Sequence, residues 1–381
     1  MKKKTDILHA AAARDKQTGA LSIPVYHAST YHQSDIQKNQ EWEYGRSGNP
    51  TRCELEKLLA ALEGASGGFA FSSGMAALTT ALTSFISNGD HIVAARDIYG
   101  GTYRLITTYL QKFGVTHTFV DTTDSDRVEK SIEKNSRILL LETPSNPLLK
   151  ITDISAMVSI AKKYNLLTII DNTFLTPYLF RPLDLGIDIS VHSATKFLGG
   201  HSDLIAGAVM TKTPEQARAV KRIQNTCGNI LSPNDSWLLI RGIKTLSARM
   251  DVQCRSAQTL AEWLSMQSWA KQVYYPGLKS HPGHQTIMSQ AYGFGAVVSV
   301  KTDTVERAIQ IMKNVKIWSV AVSLGGVESI LSYPTMMSHA AIPALERQKL
   351  GISDNLIRLS VGLEDCTDLI EDLKTAAEFT D

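Results

Sequence analysis

Residues 190–203, SVHSATKFLGGHSD, begin as a buried strand and end as a polar loop that carries a single lysine. The apolar alternation leads to Ser193, Thr195 and Lys196, and two glycines follow after Phe197 and Leu198. Lysine side chains are mostly exposed to solvent, so this stretch by itself favours an ordinary loop residue. Whether Lys196 has a function depends on what the other strands of the chain carry at their ends.

Strands and helices alternate through the first two thirds of the chain. Continuous apolar strands separated by amphipathic helices are typical of a mostly parallel sheet with helices on both faces, so the sequence predicts an α/β fold. The predicted strands are GFAF, HIVAA, THTFV, RILLLE, LLTIID, ISVHSA and IAGAVMT. In such a sheet, ligands bind at the carboxyl ends of the strands.

Three regions follow from this pattern: a turn-rich arm over residues 1–48, a ligand-binding domain over 49–240, and a smaller α+β domain over 241–381. The first helix of the second region is predicted to start with Thr51 as N-cap and Glu54 as its capping-box partner. Gly64 is predicted to end that helix.

Five strand ends carry residues that could serve a ligand. Each has an ordinary structural explanation: an N-cap, a packed loop tyrosine, a proline turn, a capping aspartate or a solvated lysine. Together they match pyridoxal 5′-phosphate (PLP), which needs a lysine, a carboxylate at its ring nitrogen, a phosphate site and a stacked aromatic ring. The residues, in chain order, are Gly74 with Met75, Tyr99, Asn146, Asp171 and Lys196.

Composition and charge exclude several classes of partner. The 381 residues carry a net charge of only +2, which gives no footprint for nucleic acid or a membrane surface. No apolar stretch approaches the length of a membrane span, and the basic start lacks a secretory core. The four cysteines form no CxxC pair, and His281 with His284 has no further ligands nearby, so we predict a cytoplasmic protein without a metal.

Seven motifs in order along the chain resemble the Cys/Met-metabolism family of PLP-dependent enzymes. They are YGRSGNPTR, FSSGMAAL, YGGTYR, ETPSNPLL, DNTF, HSATKFLGGHSD and SLGGVES. The resemblance runs from about residue 5 to the C-terminus. It implies an aspartate-aminotransferase-like fold (fold type I), a sulfur amino acid as substrate, and a homotetramer built as a dimer of dimers.

The family's site residues carry over by position. Lys196 resembles the Schiff-base lysine, Asp171 the partner of the ring nitrogen and Tyr99 the stacked aromatic ring, and these three are the predicted catalytic residues. Further predicted cofactor contacts are Gly74, Met75, Asn146, Ser193 and Thr195, with Tyr44 and Arg46 reaching over from a neighbouring subunit. The predicted substrate contacts are Arg358, which would bind the α-carboxylate, with Asn146, Ser323, Tyr44 and Val322.

The members of the family differ in which carbon loses sulfur. The γ-synthases and γ-lyases resemble a pattern AESLG, whereas this chain has AVSLG, with Val322 in place of the glutamate. Gly101 departs from the cysteine of methionine γ-lyases, and ESILSYPTMMSHAAIP resembles cystathionine β-lyases. The resemblance therefore favours β-elimination of cystathionine, as in methionine synthesis. A γ-lyase, a γ-synthase, an O-acetylhomoserine sulfhydrylase-type enzyme, a non-catalytic PLP-binding regulator and a metal-dependent hydrolase remain alternatives.

Overall fold

A computed structural model describes residues 2–10, 15, 17–38, 40–340 and 343–378. Its larger sheet has seven strands in the order β1-β7-β6-β5-β4-β2-β3. β7 is antiparallel to both of its neighbours, while the other pairings in the sheet are parallel. The strands are β1 Gly67–Phe71, β2 His91–Ala95, β3 Thr116–Val120, β4 Ser136–Glu142, β5 Leu167–Asp171, β6 Ile189–Ser193 and β7 Gly207–Thr211.

This arrangement confirms the predicted α/β fold with a mostly parallel sheet. Because β1 and β6 both run opposite to β7, strands β1 to β6 all end at one edge of the sheet. Alternate residues of each strand belong to two separate hydrophobic clusters, one on each face. Leu139 and Ile170 pack on one face, whereas Leu140 and Ile169 pack on the other.

Helices cover both faces of the larger sheet. Leu55 and Met157 join the cluster on one face, and Leu78 and Leu82 join the cluster on the other. The helices as far as the end of this region are α1 Lys3–His9, α2 Pro50–Glu63, α3 Gly74–Thr83, α4 Gly100–Arg104, α5 Ser125–Lys130, α6 Ile154–Tyr164, α7 Thr176–Leu179, α8 Pro214–Cys227 and α9 Pro233–Lys244. Leu105–Tyr109 continues α4 as a π-helical turn, and Leu110–Phe113 and Pro182–Leu185 are 3₁₀ turns.

The predicted start of α2 is wrong. Asn49 is the N-cap, and its side-chain oxygen accepts hydrogen bonds from the N–H groups of Thr51 at 3.0 Å and Arg52 at 3.2 Å. Pro50 is the first helical residue, a position where its missing N–H costs nothing. Thr51 instead donates its hydroxyl to the carbonyl of Pro24, which fastens the preceding segment to the helix. Gly64 does end α2, with a φ of 66°.

A second sheet of five strands follows, in the order β10-β11-β12-β9-β8. Its strands are β8 Ala270–Tyr274, β9 Val297–Thr302, β10 Ser319–Val320, β11 Ile330–Ser332 and β12 Leu356–Ser360. A third cluster joins this sheet to helices on one side, with Leu260, Ile311 and Leu373 among its members. The helices are α10 Leu246–Ser265, α11 His284–Gln290, α12 Val305–Asn314, α13 Ala344–Leu350 and α14 Cys366–Glu378.

Helix α10 connects the two cores. Leu246 and Met250 pack into the cluster of the larger sheet, while Leu260 and Leu264 pack into that of the smaller one.

The predicted division at residue 240 falls inside α9, and the three-region division stays a prediction. Within the predicted N-terminal arm, the described residues include helix α1, whose Ile7 is buried against the larger core. No helix in the described part of the chain is long and apolar enough to cross a membrane.

Candidate active site

One cavity of about 420 Å³ lies where strands β1, β2, β4, β5 and β6 end, facing β11 and β12 of the second sheet. It gathers side chains that are far apart in sequence, because the strands are parallel and share one edge. All predicted site residues except Tyr44 and Arg46 line it. They are Gly74, Met75, Tyr99, Asn146, Asp171, Ser193, Thr195, Lys196, Val322, Ser323 and Arg358.

The start of helix α3 fits closely against the end of β6. Ser73 caps the helix by accepting the N–H of Ala76 at 3.0 Å. A Cβ at Gly74 would lie 2.8 Å from the Cβ of Ser193, so only glycine lets the helix start approach this strand. Backbone N–H groups and the Ser193 hydroxyl thereby meet at one place, which suits an anion such as phosphate. The Thr195 hydroxyl, by contrast, pairs with the backbone of Ala206.

Asp171 ends β5 with its carboxyl group buried. One carboxylate oxygen accepts the N–H of Thr173 at 3.0 Å and its hydroxyl at 2.5 Å. Burial raises the pKa of Asp171, while the two Thr173 bonds and then the nearby His192 and Lys196 act in the opposite direction. A cation bound in the cavity would favour the ionised carboxylate, as a protonated pyridine ring does.

Glu142 is a cavity residue that the sequence did not single out as part of the site. It lies at the end of β4, in register with Asp171 on β5. Its carboxyl group accepts the N–H of Tyr99 at 2.9 Å and that of Asn146 at 3.2 Å. Burial, with the nearby Asp171, raises the pKa of Glu142 well above its usual value. The parallel pairing of the two strands is the pattern that reveals it.

The amine of Lys196 donates a hydrogen bond to the hydroxyl of Ser323. Burial and then the positive charge of Arg358 lower the pKa of Lys196 to about 8, against the opposing effect of Asp171. A lysine with such a pKa has an appreciable neutral fraction near neutral pH, and the neutral amine is both a nucleophile and a proton acceptor.

Arg358 lies on β12 with a fully buried guanidinium. It donates to the side-chain oxygen of Asn146 at 2.8 Å and to the backbone carbonyl of Ser323 at 2.7 Å. Its Nε has no hydrogen-bond partner within the described residues. Burial lowers the pKa of Arg358 to about 10, so the group still carries its charge at neutral pH. A buried cation with a free donor is suited to a carboxylate ligand.

Tyr99 stands at the mouth of the cavity with 39% of its surface exposed. Its ring lies over Gly101, where a Cβ would come within 2.4 Å of the ring and 2.8 Å of the sulfur of Met75. A cysteine at position 101 would therefore displace the tyrosine ring. Val322 is also exposed, and it is one of five residues that line both this cavity and a second one of about 880 Å³.

Tyr44 and Arg46 lie outside the cavity of their own chain. The Arg46 guanidinium donates to the carbonyl of Asn225 at 2.6 Å and lies 5.6 Å from the Tyr44 ring. Both side chains belong to the N-terminal segment, and Tyr44 is 46% exposed. Their predicted approach to a neighbouring subunit's site stays a prediction.

His281 and His284 bind backbone groups. His281 accepts the N–H of Gly283 at 3.0 Å, and His284 lies 2.8 Å from the carbonyl of Pro276. Across the residues that the structure describes, no group of three His, Cys, Asp or Glu side chains could hold a metal ion.

Comparison with known proteins finds relatives that match nearly the whole length of this chain. The cystathionine beta-lyase MetC of Bacillus subtilis is 50% identical over 98% of this chain and 95% of its own. The cystathionine gamma-lyase of the same organism is 48% identical over 99% of this chain and 100% of its own. The crystal structure of cystathionine gamma-lyase from Lactobacillus plantarum with L-serine superposes with a TM-score of 0.97 at 45% identity, covering 99% of this chain and 98% of that one.

The relatives thus carry different reaction names, but they share one cofactor chemistry and one fold. The model of the Cys/Met metabolism PLP-dependent enzymes matches residues 4–378. The cavity holds the lysine, the buried carboxylate and the glycine-lined helix start that this cofactor requires. The chain belongs to the Cys/Met-metabolism family of PLP-dependent enzymes, with the fold type I architecture of that family.

Proposed function

We propose that this enzyme is a cystathionine β-lyase, which cleaves L-cystathionine to homocysteine, pyruvate and ammonia. The choice of Cβ as the carbon that loses sulfur depends on one observation, the position of Val322. It is 65% exposed at the wall between the two cavities, where the γ-cleaving pattern has a glutamate. Valine offers no hydrogen-bond acceptor to a substrate ammonium. The 50% identical β-lyase relative supports the same choice.

Arg358 and Asn146 bind the α-carboxylate of the substrate in this proposal. The guanidinium is fixed by two bonds, 2.8 Å to Asn146 and 2.7 Å to Ser323, and retains a free Nε donor. A planar guanidinium can make paired charge-assisted bonds to a carboxylate, which fixes the orientation of the Cα–H bond.

Lys196 is the group that moves the proton. PLP, when bound, supplies an electron sink beside Cα, which makes the Cα proton removable. The neutral Lys196 amine takes that proton, and the electron pair of the broken bond then expels sulfur from Cβ as the thiolate of homocysteine, which takes up a proton. Hydrolysis of the remaining three-carbon fragment gives pyruvate and ammonia. The hydrogen bond to the Ser323 hydroxyl positions this amine at the cavity wall.

Asp171 keeps a negative charge at the inner end of the cavity, and Tyr99 covers its mouth. The proposed cofactor contacts are completed by Gly74, Met75, Ser193 and Thr195 from the same chain. Tyr44 and Arg46 come from the neighbouring subunit in a homotetramer that is a dimer of dimers. We further propose a cytoplasmic location, since the chain's four cysteines, Cys53, Cys227, Cys254 and Cys366, are all unpaired.

A γ-lyase is the second candidate, because a relative with that name is 48% identical. Incubation of the purified, PLP-loaded enzyme with L-cystathionine separates the two. The β-lyase produces pyruvate and homocysteine, whereas 2-oxobutanoate and cysteine as the main products would refute the proposal. Lys196→Ala is the control, since it keeps the cavity walls but removes the proton acceptor. If the protein binds PLP but turns over no sulfur amino acid, the result would favour the third alternative, a non-catalytic PLP-binding regulator.

A further inference from the structure

Three segments of the chain hold Asn146 in place. Its backbone N–H donates to Glu142 at the end of β4, at 3.2 Å. Its side-chain oxygen accepts from Arg358 on β12 at 2.8 Å. Its backbone carbonyl lies 3.0 Å from the Nε2 of His339, which belongs to the segment of residues 333–340 after β11. The first two contacts come from the two sheets. The third comes from His339, which lies within the stretch ESILSYPTMMSHAAIP but has no role in the proposed mechanism.

His339 is buried with no exposed surface. Its Nδ1 lies 2.8 Å from the hydroxyl of Ser338. A carbonyl oxygen can only accept, so Nε2 carries the ring hydrogen that bonds to Asn146. Burial, followed by the positive charge of Arg358, lowers the pKa of His339 to about 4, so the ring is neutral at neutral pH and its Nδ1 accepts the Ser338 hydroxyl.

The segment that carries His339 also forms part of the cavity wall. Met337 and Ser338 line the cavity, and the carbonyl of Ser338 would lie 2.6 Å from a Cβ at Gly100. The segment thus lies directly on the start of α4, beside Tyr99. One hydrogen bond from His339 therefore links this wall to the loop of Asn146, whose side chain in turn orients the Arg358 guanidinium.

We propose that His339 is a positioning residue for substrate binding, which fixes Asn146 and through it the orientation of Arg358 towards the substrate carboxylate. The inference rests on the proposed function of Arg358 and Asn146 as the carboxylate site. His339 itself touches neither the cofactor nor the reacting atoms. Its loss should weaken the binding of carboxylates much more than it slows the chemical step.

Three substitutions test the role. His339→Gln retains a donor near the position of Nε2, so it preserves the bond to Asn146. His339→Asn retains an amide only near the position of Nδ1, too far back to reach that carbonyl. His339→Leu fills a similar volume without any donor. The buried carbonyl of Asn146 is left unpaired by Asn and Leu but not by Gln.

Five quantities are measured on the PLP-loaded enzyme: kcat and KM for L-cystathionine, the inhibition constant of propanoate, the visible absorption of the cofactor, and the melting temperature. We expect His339→Asn and His339→Leu to raise both KM and the propanoate inhibition constant about 10- to 100-fold. We expect kcat to stay within about threefold and the cofactor band to be unchanged. In His339→Gln both constants should return to within about threefold of the wild type.

Two results would overturn the inference: unchanged KM and propanoate binding in His339→Asn, or a Gln variant no better than the Leu variant at equal melting temperature. Failure of the proposed function looks different. If the wild type does not cleave cystathionine but propanoate still competes with another amino acid substrate, the β-lyase assignment fails. The propanoate constants of the three variants then still decide the role of His339.

Discussion

Glu142 and Asp171 lie in register on the neighbouring parallel strands β4 and β5, and both carboxyl groups are buried at the wall of one cavity. Burial raises the pKa of each, and the charge of Asp171 raises that of Glu142 further. Two carboxylates so placed resist being ionised together unless a cation is near. In the proposed site that cation would be the protonated ring nitrogen of PLP beside Asp171, whereas Glu142 accepts the N–H groups of Tyr99 and Asn146.

Asp171→Asn should lower kcat for cystathionine by about 100-fold or more, because a neutral amide no longer stabilises positive charge at the inner end of the cavity. Glu142→Gln is the matched comparison. It leaves Asp171 in place and retains one acceptor for the N–H groups of Tyr99 and Asn146, so the fall in kcat should be smaller. Steady-state kinetics of both variants gives the answer. An Asn variant within threefold of the wild type would contradict the assigned role of Asp171.

The amine of Lys196 should titrate well below an ordinary lysine. In the cofactor-free protein only the neutral amine reacts with acetic anhydride, so acetylation of Lys196 should rise with pH around a midpoint of about 8. Arg358→Met removes a positive charge that lowers this pKa, and the midpoint should move upward. Arg358→Lys keeps the charge and should move it less. Peptide mapping after pulsed labelling gives the midpoint for Lys196 separately from the surface lysines.

A Lys196 midpoint near the 10.5 of a free lysine would show that burial and Arg358 do not act on this amine. An unchanged midpoint in Arg358→Met would remove only the contribution of Arg358. Labelling of intact holoenzyme should be much slower, because in the proposed site PLP would occupy the same nitrogen.

The meeting of Tyr99, Asn146, Asp171 and Lys196 in one cavity is predictable from sequence, because parallel strands separated by helices must end at a common edge. Glu142 requires strand register in addition, which depends on pairing between β4 and β5. The role of His339 is harder still to predict. Nothing in the sequence around it indicates that its ring meets the carbonyl of Asn146, which lies 193 positions away. The predicted N-cap of α2 is wrong because Thr51 and Asn49 are both good capping residues. Pro50 at the first helical position favours Asn49, and contacts with Pro24 and Tyr26 hold the two side chains in their observed places.

Asn49→Ala should lower the free energy of unfolding by about 1–2 kcal/mol. The substitution removes the acceptor for two N–H groups of α2 and the bond from the Asn49 amide to the carbonyl of Tyr26 at 2.8 Å. Glu54→Ala is the control: it removes the pair of Glu54 with the exposed Lys57 and should cost less than about 0.5 kcal/mol. Urea unfolding of the two variants compares them. Equal losses would favour the capping box at Thr51 and Glu54 instead.

Val322→Glu should shift the products of cystathionine cleavage towards 2-oxobutanoate and cysteine. The new carboxylate would stand at the wall between the two cavities, where it can accept a hydrogen bond from a substrate ammonium. Val322→Gln has a similar size without the charge and controls for simple crowding. The ratio of 2-oxobutanoate to pyruvate is the measurement. The same ratio in all three proteins would make Val322 only a wall residue, and the choice of carbon would have to depend on other residues.

Arg46 of one subunit should contribute to the active site that contains Lys196 of the neighbouring subunit. Arg46→Ala and Lys196→Ala are each expected to be nearly inactive, yet co-expression should restore activity. A mixed dimer has one site with both changes and one with neither, so random assembly should return about a quarter of the wild-type activity per subunit. Purification through two affinity tags removes the tetramers built from one variant alone, so the activity per subunit should then rise only slightly, to about 0.29 of the wild type. Mixed oligomers without activity would mean that Arg46 serves its own chain, in line with its bond to Asn225.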